Sequence, residues 1–169
     1  MTLYLYNNTF SNMPIGVAMI NAESVNNDNG PSPLMLVLLN NTFYANQKAV
    51  YTQAPTWNGL NSLAHVYTLA MNNIFVNSSD TAVHLVGMQW NSQLQNNLFF
   101  GNTQNVLSVD NNASFAGNIS PRFGDPKFVD PANRNFALSA GSAAIDAGRS
   151  EIGPNPASNA VSPTVTTPA

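Results

Sequence analysis

Short apolar runs, each only a few residues long and rich in Val, Leu, Phe and Tyr, alternate with Asn-, Gly- and Pro-containing breaks through the first 120 residues. None keeps a 3.6-residue period with capping residues at its ends, so the pattern predicts strands and tight turns rather than helices. The runs also recur in a fixed order. Each cycle opens on a phrase: Asn7-Asn8-Thr9-Phe10, Asn40-Asn41-Thr42-Phe43, Asn72-Asn73-Ile74-Phe75 and Asn96-Asn97-Leu98-Phe99, with a fainter fifth copy at Gly117-Asn118-Ile119. Three positions before the second Asn stands Leu5, Leu38, Ala70, Leu94 or Phe115, and nine or ten positions after it a further apolar run holds Val17, Val50, Val83 or Val106.

The anchors Asn8, Asn41, Asn73, Asn97 and Asn118 follow one another at intervals that shorten along the chain, while the flanking positions hold their offsets. Such a unit cannot bury its own apolar side chains, whereas stacked copies can, because equivalent positions then lie one strand spacing apart. Stacking predicts an inward column of Phe10, Phe43, Phe75 and Phe99. It also predicts a corner ladder of Asn8, Asn41, Asn73, Asn97 and Asn118, since Asn accepts left-handed backbone and its amide bonds along the stack. From Leu3 to Ile119 this resembles the right-handed parallel β-helix repeat of pectate-lyase-like proteins. The resemblance implies an all-β solenoid of about four to five coils. A leucine-rich repeat is the competing solenoid, but its Leu-x-x-Leu-x-Leu rhythm and helical return segment are missing.

The insertions that lengthen the earlier cycles fall at one place in the repeat. They are Asn21 to Pro33, Gln53 to Ser62 and the short Gly87-Met88-Gln89-Trp90-Asn91. Stacking would bring these connections together on one ridge carrying Trp57, Trp90, Asn58, Asn61, Gln89, Glu23 and Asp28. Aromatic rings flanked by amides suit the C–H face and hydroxyls of a sugar, which makes this ridge the candidate polysaccharide-contact surface. The competing role for the two Trp side chains is to fold their loops back over the stack.

Composition narrows the chemistry. The chain has 27 Asn among 169 residues, 13 charged residues, a net charge of −3 and no Cys. There is no basic stripe for nucleic acid, no run of transmembrane length and no Cys-based metal or disulfide framework. His65 and His84 lack companions at metal-ligand spacing, and His84 alternates outward in its strand. Asp80 and Asp110 read as corner residues. Glu23 and Asp28 could hold Ca²⁺ with backbone carbonyls, but the Asp-rich calcium pattern is absent; no other metal or cofactor is suggested. If the resemblance supplied an enzyme, its lyases would need a basic residue with acidic calcium ligands, and its hydrolases clustered aspartates. Lys48 is the single basic residue between Leu3 and Ile119, so no catalytic residue is assigned.

After residue 120 the pattern changes. The stretch Asp125-Pro126-Lys127-Phe128-Val129-Asp130-Pro131, then Asn135-Phe136-Ala137-Leu138, then Gly141-Ser142-Ala143-Ala144-Ile145-Asp146-Ala147-Gly148 and Ile152-Gly153, resembles the choice-of-anchor Q closing segment of secreted bacterial β-helix proteins. Ala143 stands where that family usually has Pro. The resemblance implies export and a place at or near the cell surface. Asp125 and Asp130 open Pro-fixed turns, Asp146 is suited to tying turn amides, and Phe128, Phe136, Leu138 and Ile145 are expected to cap the last coil.

Residues 1–120 are thus expected to be coils and 121–153 a cap, with 154–169 a disordered Pro/Ser/Thr-rich linker. Because Met1 runs straight into a repeat with no capping unit, the chain reads as the C-terminal piece of a longer protein, and its uncapped first coil as a point of self-association. The expected function is a secreted or cell-surface repeat module, non-catalytic, serving as scaffold or polysaccharide contact. The alternative is the rear part of a polysaccharide lyase or glycoside hydrolase with its active site upstream, and a purely structural stalk is a third reading.

Overall fold

The computed structural model describes residues 1–21, 33–54, 65–87, 89, 91–109 and 115–149. The chain is all-β with stacked parallel sheets, a solenoid-like architecture, and its described residues contain no α-helix. Three sheets are built by strands taken in rotation. The first sheet holds β1 (Thr2–Tyr6), β4 (Leu34–Leu39), β7 (Val66–Met71), β10 (Ser92–Gln95) and β13 (Phe115–Ile119). The second holds β2 (Thr9–Ser11), β5 (Thr42–Tyr44), β8 (Ile74–Val76), β11 (Leu98–Phe100) and β14 (Arg122–Phe123). The third holds β3 (Ile15–Ile20), β6 (Lys48–Gln53), β9 (Thr81–Val86) and β12 (Gln104–Val109).

Parallel register places like on like. Leu5, Leu38, Ala70 and Leu94 align on the first sheet, and Val17, Val50, Val83 and Val106 on the third. On the second sheet Phe10, Phe43, Phe75 and Phe99 stack with ring centroids 5.0, 4.9 and 5.2 Å apart and planes within 14° of parallel. Phe43, Phe75 and Phe99 are almost wholly buried, whereas Phe10 at the end of the column is half-buried. Gly16 lies beside this column because a Cβ there would come within 2.7 Å of the Ala49 carbonyl.

The phrase Asn-Asn makes the corner between the first and second sheets. Asn7, Asn40, Asn72 and Asn96 take left-handed φ between 49° and 57°, which turns the chain. The following Asn bonds along the stack: Oδ1 of Asn41, Asn73 and Asn97 each accepts the backbone N–H of the preceding anchor at 2.9 Å and that anchor's side-chain amide at 3.0 to 3.2 Å. Their own Nδ2 groups donate to the carbonyls of Leu5, Leu38 and Ala70.

Asn118 does not extend this column. Its backbone pairs with Leu94, which places it at the inward Leu position three residues before the corner, and its Oδ1 is buried without a partner. The corner falls at Ser120, with φ 48°, and Pro121. The Arg122 N–H bonds the Asn97 carbonyl, as Leu98 does with Asn73. The interval from Asn97 to Pro121 therefore equals that from Asn73 to Asn97, and the last pass is no shorter than the one before it. Phe123, in register with Phe99 and 6.4 Å from its ring, becomes the fifth ring of the column.

A second corner, between the second and third sheets, repeats the device. Asn12, Ala45, Asn77 and Gly101 take positive φ. Asn46 Oδ1 accepts the Met13 N–H at 3.0 Å and Asn102 Oδ1 the Ser78 N–H at 2.8 Å.

The closing segment lies on the flank. Antiparallel β15 (Phe128–Asp130) and β16 (Asn135–Leu138) bring Phe128 and Phe136 against Tyr44, with ring centroids 6.1 and 5.4 Å away, on the outer face of the second sheet. The expected position across the last coil is not where these rings sit; Phe123 at that end stays 65% exposed. Asp125 accepts the Lys127 N–H at 2.7 Å, and Asp130 caps the short 3₁₀ turn at Asn133. Asp146 takes a left-handed φ of 55°, and its carboxylate makes no hydrogen bond among the described residues. Farther on, Asn72 grips the backbone of Arg149, accepting its N–H at 2.9 Å and donating to its carbonyl at 2.7 Å. The expected tail, 154–169, lies outside the described residues.

Replacing Asn73 by Ala removes four hydrogen bonds, leaves the Asn41 N–H buried without a partner and takes one donor from the Leu38 carbonyl, at a cost of about 3 kcal/mol. Asn8→Ala, at the exposed end, costs less than about 1 kcal/mol. Urea midpoints of the two variants measure the difference, and equal midpoints would remove the ladder from its structural role.

Candidate functional site

Strand rotation fixes where the connections lie. Each connection from β3 to β4, β6 to β7 and β9 to β10 leaves the third sheet and enters the first, so all three open along the same edge of the stack. The corners between the first and second sheets are two residues long and those between the second and third three or four, so the long insertions fall at this third edge. At this third edge a cleft of about 760 Å³ opens beside the starts of the first-sheet strands, lined by Met1, Thr2, Pro33, Leu34, Met35, His65, Tyr67 and Asn91. Met35 and Tyr67 are neighbours in register with Thr2 on the outer face of the first sheet, and both are half-buried. The described lining side chains are largely apolar, and among them none carries a carboxylate or a Lys or Arg cation.

Of the residues expected on this ridge, Glu23, Asp28, Trp57, Asn58, Asn61 and Trp90 lie outside the described residues. Gln89 is described and is fully buried. Its Oε1 accepts from Thr52 Oγ1 at 3.1 Å, and its Nε2 donates to the Val86 carbonyl at 3.0 Å. That amide is committed to holding the β9–β10 connection against the core and has no face left for a ligand. Met35, Tyr67 and Asn91 were not singled out in the sequence. Their signal was positional: each stands where an insertion meets, or lies just inside, a first-sheet strand.

The outer face of the third sheet gathers a second set. Lys48 and Asp80 form an ion pair, and Asp80 Oδ1 accepts from Thr81 Oγ1 at 2.8 Å. His84, aligned with Tyr51, meets its ring edge-on at 5.5 Å, and the Tyr51 hydroxyl donates to Gln53 Oε1 at 2.8 Å. The repeat could have shown the ion pair, because Lys48 stands at the same offset from Asn41 as Asp80 does from Asn73. The Lys48 ammonium bonded to Asp80, with help from Thr81, holds the carboxyl below its usual value of 3.8. Burial, followed by the Lys48 charge, holds the His84 imidazole below its usual 6.5; Asp80 opposes this weakly.

These groups form a salt-bridged surface row rather than a metal centre. No cluster of three or more His, Cys, Asp or Glu able to hold a metal occurs among the described residues, and Glu23 and Asp28, the expected Ca²⁺ candidates, lie outside them. Among the described residues no helix is long and apolar enough to cross a membrane. Comparison with known proteins finds no matching family model, no similar curated protein and no similar solved structure.

Both depressed pKa values make the unfolded chain the better proton binder as pH falls. Stability therefore declines as pH drops below about 6.5, where unfolded His84 takes up its proton first, and again below about 3.8 through Asp80. His84→Gln flattens the upper part of the melting-temperature profile and Asp80→Asn the lower. Thermal melts from pH 8 to pH 3 measure both, and a wild-type slope retained between pH 7 and 5 in His84→Gln would overturn the assignment.

Proposed function

We propose that this chain is a non-catalytic carbohydrate-contacting module, of the right-handed parallel β-helix type with about four to five coils, that works outside the cell or on its surface. The observation that supports the reading is the cleft at the edge where the three connections open. It is broad, its floor is the half-buried Tyr67 and Met35, and Asn91 and Thr2 stand at its rim. A pyranose presents a C–H face to such an apolar floor and hydroxyls to amide and hydroxyl groups at its edge. The described lining residues offer hydroxyl and amide groups and an apolar floor but no Lys or Arg to pair with a uronate's carboxylate, which supports a neutral polysaccharide as the ligand.

The closing segment's likeness to the choice-of-anchor Q pattern supports the extracellular placement. So does the Asn-rich, charge-poor composition. The same features fit a scaffold that displays the ridge loops without turning over a substrate. The alternative, the rear part of a polysaccharide lyase or glycoside hydrolase, draws on one feature: Lys48, Asp80, His84 and Tyr51 share one outer face. The Lys48–Asp80 pairing occupies both of the charged members, which favours the structural role for that row.

Affinity electrophoresis against a panel of neutral and acidic polysaccharides tests the proposal. The expected result is retardation by a neutral glycan, weakened about tenfold or more by Tyr67→Ala, with the melting temperature nearly unchanged and no new reducing ends or unsaturated products. Absence of retardation by every member of the panel would overturn the carbohydrate reading. Product formation would replace it with the enzyme.

A further inference from the structure

The second Asn of each corner pair is committed to the ladder, but the first is not. Asn72 is spent on Arg149, and the flank segment that it anchors passes over this corner. Leu98 faces away from the Phe column, since Phe99 beside it points inward, yet it is only 2% exposed. A pocket remains under the segment, about 200 Å³ against about 760 Å³ for the cleft at the third edge. Ile74 and Leu98, neighbours in register on the second sheet, line it from the stack; Ala144, Ala147 and Gly148 line it from the flank; Asn72 and Asn96 complete it at the corner.

Asn96 differs from the rest of this lining. It is 8% exposed, so more than nine-tenths of it is buried, and its side-chain amide makes no hydrogen bond among the described residues. Asn72, at the corresponding position one pass earlier, uses both ends of its amide. The flank backbone beside the pocket is turned on itself: the Ala147 N–H bonds the Ala144 carbonyl and the Ile145 N–H the Ser142 carbonyl, each at 3.3 Å. Left-handed φ accounts for an Asn at this corner but not for burying its amide unpaired. A buried amide ordinarily has partners, so Asn96 calls for a donor and an acceptor that enter the pocket from outside the chain.

We propose that this pocket binds a single neutral sugar ring, either a free monosaccharide or the end unit of a glycan. No Asp, Glu, Lys, Arg or His is among the described lining residues, so a charged ligand would be desolvated there without a counter-charge. The aliphatic surfaces from stack and flank suit the C–H faces of a pyranose. Two adjacent hydroxyls on its rim then complete Asn96, one donating to Oδ1 and the other accepting from Nδ2. The volume takes one ring, and the covering segment keeps the interior of a long chain out. The choice of a sugar rests on the carbohydrate reading of the cleft, but the place is separate. The cleft opens at the starts of the first-sheet strands and this pocket lies beyond their ends, about 17 to 20 Å away along a strand such as β4.

Titrating the isotope-labelled chain with glucose, galactose, mannose, rhamnose and fucose, and following its amide resonances, tests the site. At least one of these sugars is expected to shift the Asn96 side-chain amide and the backbone amides of Ala147 and Gly148, while glucuronate leaves them in place. Asn96→Gly keeps the left-handed corner and is expected to raise the dissociation constant of that sugar at least about tenfold. Ala147→Leu fills the pocket without touching the ladder and is expected to have the same effect, so the test does not hang on the folding of one variant. Competition by an oligosaccharide ending in that sugar identifies a chain end as the occupant, and its failure a free sugar; either supports the pocket. Shifts confined to Met35 and Tyr67 would put the sugar in the cleft, overturning the pocket and leaving the cleft reading intact. No shift with any of the five sugars, or shifts that survive both variants, would also overturn it, with ordered water only as the partner of Asn96.

Discussion

A parallel stack stands or falls on register, and here one amide column sets it. When every inward side chain lies directly over its equivalent, a slip of one residue turns an entire core row outward. Asn41, Asn73 and Asn97 prevent that slip from inside. Each binds the N–H of one neighbouring anchor and a carbonyl three residues before it, so no other residue in the phrase satisfies both groups. The Phe column and the Val row are consequences of that fixed alignment. The ring planes within 14° of parallel reflect identical backbone placement in successive passes. The same constraint explains why insertions collect at the third edge. The first corner is a two-residue turn and the second a turn of three or four residues, both held by amides, and the long connections are left to the third.

Much of this was readable from the residues because the phrase Asn-Asn-x-Phe combines two demanding requirements. Left-handed φ at its first residue and a stack-bonding amide at its second together leave little besides Asn-Asn. The sheets, their order and the inward rows follow from that spacing. The end of the stack was read less well, since Gly117-Asn118-Ile119 imitates the phrase while Ser120-Pro121 occupies its place. Chemically, Ser and Pro do not look like Asn-Asn, although both meet the backbone requirement of a corner. Phe123 stands as far beyond Phe99 as Phe99 does beyond Phe75, and was available to a strict period.

Other features needed coordinates. Phe128 and Phe136 declare themselves apolar, but their sequence does not distinguish the open end of a stack from its flank; Tyr44, which receives them, belongs to the second pass of the chain, far upstream of both. Gln89 resembles a loop amide in composition. It proved to be an interior one because the β9–β10 connection is short enough to draw it against Thr52. The cleft at the third edge is a property of several strand starts together, and none of its lining residues is unusual alone.

The grip of Asn72 on Arg149 has a mechanical side. Residue 149 is held not at the last strand pair but at the turn between β7 and β8, midway along the stack. Tension applied beyond Arg149 would therefore first load the two Asn72 bonds and then the aromatic seam at Tyr44. Only after those had given way would force reach β14, whose two residues are the easiest in the stack to unzip. The flank segment thus works as a strain relief, keeping a pull on the chain away from the rung least able to bear it.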